Sequence, residues 1–363
     1  MRLGVAAGAR ERCGVGDFAQ DLASVYPFDI EVFWIDFPAR DSRAAWHRAA
    51  HTANGLDVVH VHFEYGLFHS VKPYRNRYTA FVENLHPPVV VTLHGPLPRL
   101  VPRWRSGRRR VADLVRDLAY LPFFARWDRI LDRGVVHWIV HSRSLCDQME
   151  KVVGAERCTY VPHPIPEVER IWQPGMREGL VMVTPGFVKP HKGYEELSQL
   201  LAADRSWSWI IAGGAQDRRD EEYVRRLQEA LAAGGLGDRV RITGYLDRPE
   251  IEAKMCGAHL AVFPYADVFG SGSVAWAIGC GMPVVTTDLP EFRSMRSRGA
   301  GIELLPVEEN DRWAKIIHGL WREPARLEEL ARKNRDYAAT HDFAGCALAH
   351  AEIFARVAPE AAT

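Results

Sequence analysis

Short, mostly apolar runs recur along the chain, separated by stretches with the three-to-four-residue period of amphipathic helices. Runs at 3–7, 30–35, 57–62, 89–93, 135–140 and 159–161 predict six strands in the first half. Strands alternating with helical stretches in this way point to a parallel sheet flanked by helices. Helical patterns lie near 17–24 and 42–53, and a turn holding Gly14 and Gly16 leads into the first of them. Pro164, Pro166 and Pro174 mark 164–179 as a linker. Alternation then restarts, with strands expected at 180–183, 207–212, 240–243, 260–264, 284–286 and 302–305. From 312 to about 357 the pattern is helical, broken only at Pro324 and near Thr340-His341. Two successive βα sets predict an α/β protein of two doubly wound parallel-sheet domains facing a central cleft. The boundaries expected are 1–168 and 169–340, with a last helix in 341–363 packing back on the first domain.

Composition narrows the class. At 363 residues each of two domains can bury its own core, and 47% apolar with 25% charged residues is ordinary for a globular protein. Net charge is zero, which removes any global pull toward nucleic acid. No apolar run approaches the roughly 20 residues of a membrane span. The start, Met1-Arg2-Leu3-Gly4-Val5, runs directly into a strand and does not resemble a signal peptide. Six cysteines (Cys13, Cys146, Cys158, Cys256, Cys280, Cys346) show no CxxC or CxxH spacing, so reduced thiols in a cytoplasmic protein are expected and zinc is not.

Two loops carry candidate chemistry. The run 180–183 is broken by Gly186, and Lys189 and Lys192 follow before a helical pattern opens at Gly193. Ligands of open α/β sheets bind at the carboxyl ends of strands, and ammonium groups there suit a diphosphate. A lysine pair alone is equally compatible with a solvated loop. The run 260–264 opens into Gly270-Ser271-Gly272-Ser273, and a short helix of small residues follows, stopped by Gly281-Met282-Pro283. Hydroxyls and free amides at a helix start form an anion cradle. A Gly/Ser turn is common, but two phosphate-suited loops in one domain reinforce each other.

The chain resembles a GT-B glycosyltransferase of the large retaining group that includes sucrose and mannosyl transferases. The resemblance spans nearly the full length and is densest at 14–18 (GVGDF), 57–68, 90–95 (VVTLHG), 186–193 and 258–285, with weaker matches at 161–164, 210–214 and 242–246. It implies a GT-B fold of two Rossmann-like domains and sugar transfer from a nucleotide-diphosphate donor with retained anomeric configuration. It implies neither metal nor resident cofactor, the nucleotide sugar being a co-substrate. Residue by residue, Lys192 is expected to hold the diphosphate, helped by Lys189. Gly270, Ser271, Gly272 and Ser273 are expected to present the turn and its amides to the β-phosphate. Gly244 and Tyr245 should edge the nucleobase, and Gly14 and Gly16 should pass close to the phosphates or acceptor. His94 should face the transferred sugar. Glu64 and Tyr65 belong to the acceptor side, with Glu64 either a general base or a rim carboxylate.

Departures from the family pattern matter. Two glutamates usually flank the Gly-rich turn; here Asp267 stands near the first position and Trp276 at the second. An indole N–H cannot accept from ribose hydroxyls as a carboxylate does. Either Trp276 grips the nucleotide differently, or donor binding is weakened. The alternatives are therefore a non-catalytic GT-B protein that binds a sugar nucleotide or partner enzyme, and a GT-B sugar-nucleotide epimerase. His60, His62, His137, His141 and His163 lie on or beside strands without metal-ligand spacing and read as structural or cleft-lining. A basic segment over 99–124, including Arg108 and Arg109, surrounds Trp104 and precedes an apolar helical pattern. Such a segment suits an acidic, sugar or lipid-linked acceptor, or peripheral contact with an anionic inner membrane face, and equally a solvated surface.

Overall fold

The computed structural model describes residues 1–361 except 9–12, 39–41, 69–75, 96–133, 174, 176–178, 202, 217, 269 and 308. By contacts the chain divides into two compact units, Met1–Pro162 with Cys346–Thr363, and His163–Gly345. Every predicted apolar run forms a strand, with ends moved by a residue or two.

The first unit runs β1 (Arg2–Ala7), α1 (Gly14–Ala23), β2 (Glu31–Asp36), α2 (Arg43–His51), β3 (Val58–Phe63), α3 (Tyr78–Val82), β4 (Val89–Leu93), β5 (His137–Val140), α4 (Arg143–Val153) and β6 (Cys158–Tyr160). Its six strands pair in the order β2-β1-β3-β4-β5-β6, every pair parallel. β3, β4 and β5 are buried at every residue, which explains their largely apolar make-up and requires the histidines and threonine among them to find partners inside the protein. The first helix starts earlier than the sequence predicts, so Gly14 and Gly16 lie inside its first turn and not in a turn before it. Under the sheet, Trp46, Phe63, Phe68 and Phe81 form an aromatic nest, with Trp46 and Phe68 ring centres 5.1 Å apart.

The second unit runs β7 (Val181–Pro185), α5 (Tyr194–Leu200), β8 (Ser208–Ala212), α6 (Arg218–Ala233), β9 (Val240–Ile242), α7 (Arg248–Cys256), β10 (Leu260–Phe263), α8 (Gly272–Gly279), β11 (Val284–Thr287), α9 (Pro290–Ser297), β12 (Ile302–Leu305), α10 (Asn310–Arg322) and α11 (Pro324–Ala338). The sheet order is β12-β11-β10-β7-β8-β9, again all parallel. Alternate residues of each strand feed two separate cores. Val183, Ala261, Phe263, Val284 and Ile302 pack on one face, and Met182, Leu260, Val262, Val285 and Leu305 on the other. That is the period-two signature of strands with both faces covered.

The last helix, α12 (Phe343–Val357), belongs from Cys346 onward to the first unit, where a buried chain of polar groups staples it to the sheet. The direction of every hydrogen bond in that chain follows from one anchor. His350 Nδ1 lies 2.8 Å from the Cys346 carbonyl, which only accepts, so Nδ1 carries the proton and Nε2 accepts. Thr92 Oγ1, 3.3 Å away, therefore donates to His350 Nε2 and in turn accepts from His60 Nε2 at 2.7 Å. His60 Nδ1 is then left to accept from the Tyr26 hydroxyl at 3.2 Å. Both histidines must stay neutral for the chain to hold. Burial drives His350 down to about 4, and burial together with the neighbouring histidines holds His60 well below its ordinary 6.5.

These groups bind fewer protons folded than unfolded, so the stability they contribute is complete above about pH 6.5 and declines as the pH falls toward 4. Thermal unfolding followed from pH 7.5 to 4 is expected to show a falling Tm across that window. Thr92→Val, which strands His60 Nε2–H and His350 Nε2, should cost about 1–3 kcal/mol at neutral pH. A Tm flat from pH 7 to 4.5 in the parent protein contradicts the neutral-chain assignment.

Candidate functional site

In the second sheet β7, β8 and β9 progress in one direction and β10, β11 and β12 in the other, so the strand order reverses between β7 and β10. Such a switch point opens a crevice at the carboxyl ends of the two strands, because their following connections leave in opposite directions. The two loops singled out in the sequence are the ones that follow β7 and β10. They meet closely. Gly193, at φ +70°, backs so tightly onto the Pro264 carbonyl at the end of β10 that a Cβ there would overlap it. Gly186, at φ +97°, faces both functional side chains. A Cβ at this position would overlap Ser273 Oγ and stand 3.3 Å from Lys192 Nζ. Lysine and serine from different loops thus flank one spot.

Lys192 is only 8% exposed, yet its ammonium has no ion pair or hydrogen bond among the described residues. Its ammonium lies 5.7 Å from the centre of the Tyr265 ring. Burial, with a smaller push from the Lys189 charge, lowers it from the ordinary 10.5 to about 7. Lys189 stands differently. Its Nζ pairs with Asp220 Oδ2 at 2.9 Å, so its charge is already met. Opposite them Ser271 caps α8, its Oγ accepting from the Val274 amide at 3.2 Å and lying 3.3 Å from the Tyr265 hydroxyl. The amides of Gly272 and Ser273, first in the helix, have no intrahelical acceptor. An ammonium and two helix-start amides around one opening suit an anion.

The other predicted donor-side residues lie along the same sheet edge. Gly244 and Tyr245 follow β9, where a Cβ on Gly214 would sit 3.0 Å from Gly244 Cα. Tyr245 is 53% exposed, and its loop is pinned by Asp247, which caps α7 in a reciprocal bond with Glu250. Asp267 and Gly270 are exposed, with Asp267 Oδ1 accepting from the Val268 amide. Trp276 turns its N–H to Glu252 Oε1 at 3.2 Å, and the Arg248 guanidinium lies 5.9 Å from its ring centre. Glu252 is buried and its other oxygen accepts from the amides of Glu169 and Arg170. The indole donor is thus spent inside the protein.

In the first sheet the order reverses between β1 and β3. Gly14 and Gly16 begin the helix after β1, and Glu64 and Tyr65 follow β3. Glu64 is half-buried and its Oε2 accepts from the Gly66 amide at 2.7 Å, while the Tyr65 ring is buried against Phe63. His94 follows β4, with its Nε2 3.0 Å from His62 Nδ1. Arg108, Arg109 and the rest of 99–124 lie outside the described residues. Among the described residues no set of His, Cys, Asp and Glu is arranged to hold a metal ion, and no helix is long and apolar enough to cross a membrane.

Sequence reasoning missed Asp220, Tyr265 and Glu252, and it read His62 as structural or cleft-lining without its partner His94. Glu252 had a readable signal, since it shares a helical face with the buried Ile251 and Met255. Asp220 had none, and the pairing of His62 had none, because their partners come from other elements.

Comparison with known proteins fits this geometry. Residues 181–323 match the family model described as glycosyl transferases group 1, and 10–168 match glycosyltransferase family 4. Between them they take in most of both sheets, and the chain belongs to the GT-B glycosyltransferases. A 2-deoxystreptamine glucosyltransferase of Streptomyces kanamyceticus is 23% identical over 219 residues, 58% of this chain and 55% of that protein. D-inositol 3-phosphate glycosyltransferase 1 of Catenulispora acidiphila is 28% identical over 225 residues, 55% of this chain and 52% of that protein. The matches thus span about half the length of these curated relatives. HepE of Anabaena, solved in complex with UDP-glucose, shares the fold at a TM-score of 0.75 and 17% identity, over 98% of this chain and 100% of that one.

Lys192 costs the fold its desolvation. That cost is complete below about pH 7 and fades as the pH rises toward 10.5, where the unfolded chain also loses the proton. Lys192→Met is therefore expected to raise Tm by about 2–4 °C or more at pH 6.5, with the gain shrinking by pH 10. Differential scanning calorimetry at both pH values checks it; a lower Tm for the variant at pH 6.5 contradicts the reading of an uncompensated ammonium.

Proposed function

We propose that the protein transfers a glycosyl residue from a nucleoside-diphosphate sugar to an acceptor, with retention of anomeric configuration and with neither a metal ion nor a resident cofactor. The observation that carries this reading is the buried, unpartnered ammonium of Lys192 beside the serine-bearing start of α8. A diphosphate seated there supplies the missing counter-charge. As the bond between the sugar C1 and the β-phosphate oxygen breaks, its electron pair passes to that oxygen. Lys192 and the amides of Gly272 and Ser273 meet the growing charge from fixed positions, where such stabilisation counts most. The acceptor hydroxyl attacks C1 from the face the phosphate leaves, and its proton passes to the departing phosphate. No separate base is then required, so Glu64 serves to orient the acceptor. In this reading His94 hydrogen-bonds the transferred sugar, and Gly244 and Tyr245 border the nucleobase.

HepE was solved with UDP-glucose, which makes uridine diphosphate sugars the first donors to try. The curated relatives are named for 2-deoxystreptamine and inositol 3-phosphate, both polyhydroxylated rings, so a small polyol ring is the first acceptor class. The engagement of Trp276 with Glu252 supports a second reading, a GT-B protein that binds a sugar nucleotide without turning it over.

A thermal-shift panel of UDP-, GDP-, ADP- and dTDP-sugars, followed by nucleotide-release assays, separates these. The expected result is stabilisation by at least one donor and turnover of it, with Lys192→Met losing 100-fold or more in kcat/KM, on the order of the loss from removing one such stabilising group. Binding without turnover selects the second reading. Absence of stabilisation by every nucleotide contradicts both.

A further inference from the structure

His62 is the most confined functional-type side chain of the first unit that the reading above leaves without a task. It is fully buried at the end of β3 and joins His94, just past β4, through facing ring nitrogens 3.0 Å apart. The ring centres are 5.2 Å apart with 26° between planes, the geometry of a nearly in-plane N–H···N bond. Phe18 of α1 closes the arrangement, edge-on to His94 at 5.0 Å and to His62 at 5.8 Å. The His60 ring lies 4.2 Å from that of His62 on the other side, itself held by Thr92 and Tyr26. A side chain packed this way has one rotamer and one direction of approach to His94.

The protonation pattern follows from burial. His62 is surrounded by apolar and histidine rings, and burial with the nearby His60, His350 and His141 holds it neutral. One of its nitrogens therefore bears a proton and the other a lone pair. Its Nε2 is buried with no hydrogen-bond partner among the described residues. A proton there would be a buried donor with nothing to receive it, whereas a lone pair is the milder deficiency. The proton thus belongs on Nδ1 and is donated to His94 Nε2.

We propose that His62 is a positioning residue that fixes His94 as the Nδ1–H tautomer, so that His94 meets the transferred sugar as a hydrogen-bond donor and not as a base. The inference rests on the reading of His94 given above for its functional meaning, and on the histidine pair alone for the tautomer. It is chemically consistent with a reaction in which the departing phosphate takes the acceptor's proton, since a donor at His94 orients a sugar oxygen without competing for that proton.

The test is imidazole nitrogen NMR of the full chain labelled with 15N-histidine at pH 7.5, with His94 signals assigned by His94→Gln. The expected result is a neutral His94 protonated at Nδ1 and bare at Nε2. His62→Phe removes the donor and should return His94 to the Nε2–H form preferred by free imidazole. His62→Asn, whose amide N–H can reach the same nitrogen, should retain the Nδ1–H form. An Nε2–H His94 in the parent protein overturns the proposal without reference to any variant, and so does an unchanged tautomer in His62→Phe. Should the tautomer be as expected while His94→Ala leaves nucleotide-sugar turnover intact, the reading of His94 fails and the pairing stands.

Discussion

A buried ammonium with no counter-charge is the constraint around which the second unit is arranged. The fold offers Lys192 only the face of the Tyr265 ring: the Lys189 charge repels it, and Lys189 already has Asp220. Proteins hold such groups where a ligand completes them, because the same desolvation that weakens the apo state strengthens attraction to an incoming anion. The rest of the loop geometry serves this placement. Gly186 and Gly193 permit the approach of the β7 and β10 loops, and the capped start of α8 turns amides toward the same spot. A side chain at either glycine would push the loops apart before any chemistry could occur.

The first unit solves a different problem, that of keeping polar rings in a sheet core. Tyr26, His60, Thr92 and His350 satisfy one another in a single directed series ending on a main-chain carbonyl. The series requires neutral imidazoles, and burial enforces neutrality. It also ties α12 to β3 and β4, so the C-terminal helix is fixed by directed bonds as well as by packing. His62 and His94 lie at the carboxyl end of the same strands, next to this rigid base.

Much of this was legible in the chain because of how parallel sheets bury themselves. Strands covered on both faces are rich in apolar residues, so β4 and β10 stand out as runs such as Val89-Val90-Val91 and Leu260-Ala261-Val262-Phe263. The loops of Lys192 and Ser271–Ser273 could be singled out because two phosphate-suited turns, each weak alone, fall after strands of one domain. Pairings across elements were not. Nothing near Lys189 announces Asp220, and nothing near Trp276 announces Glu252, since those contacts exist only once the helices pack. Gly14 and Gly16 misled in a small way: glycine reads as a turn, yet here both lie in the first turn of a helix. The basic segment containing Arg108 and Arg109 lies outside the described residues.

The central claim is that the lone ammonium and the opening amides of α8 are one anion site. A crystal structure of the full chain with UDP bound tests it most directly. The account predicts a β-phosphate oxygen within hydrogen-bonding distance of Lys192 Nζ and of the Gly272 or Ser273 amide. UDP bound with its phosphates elsewhere, or with Lys192 turned away from them, would contradict it.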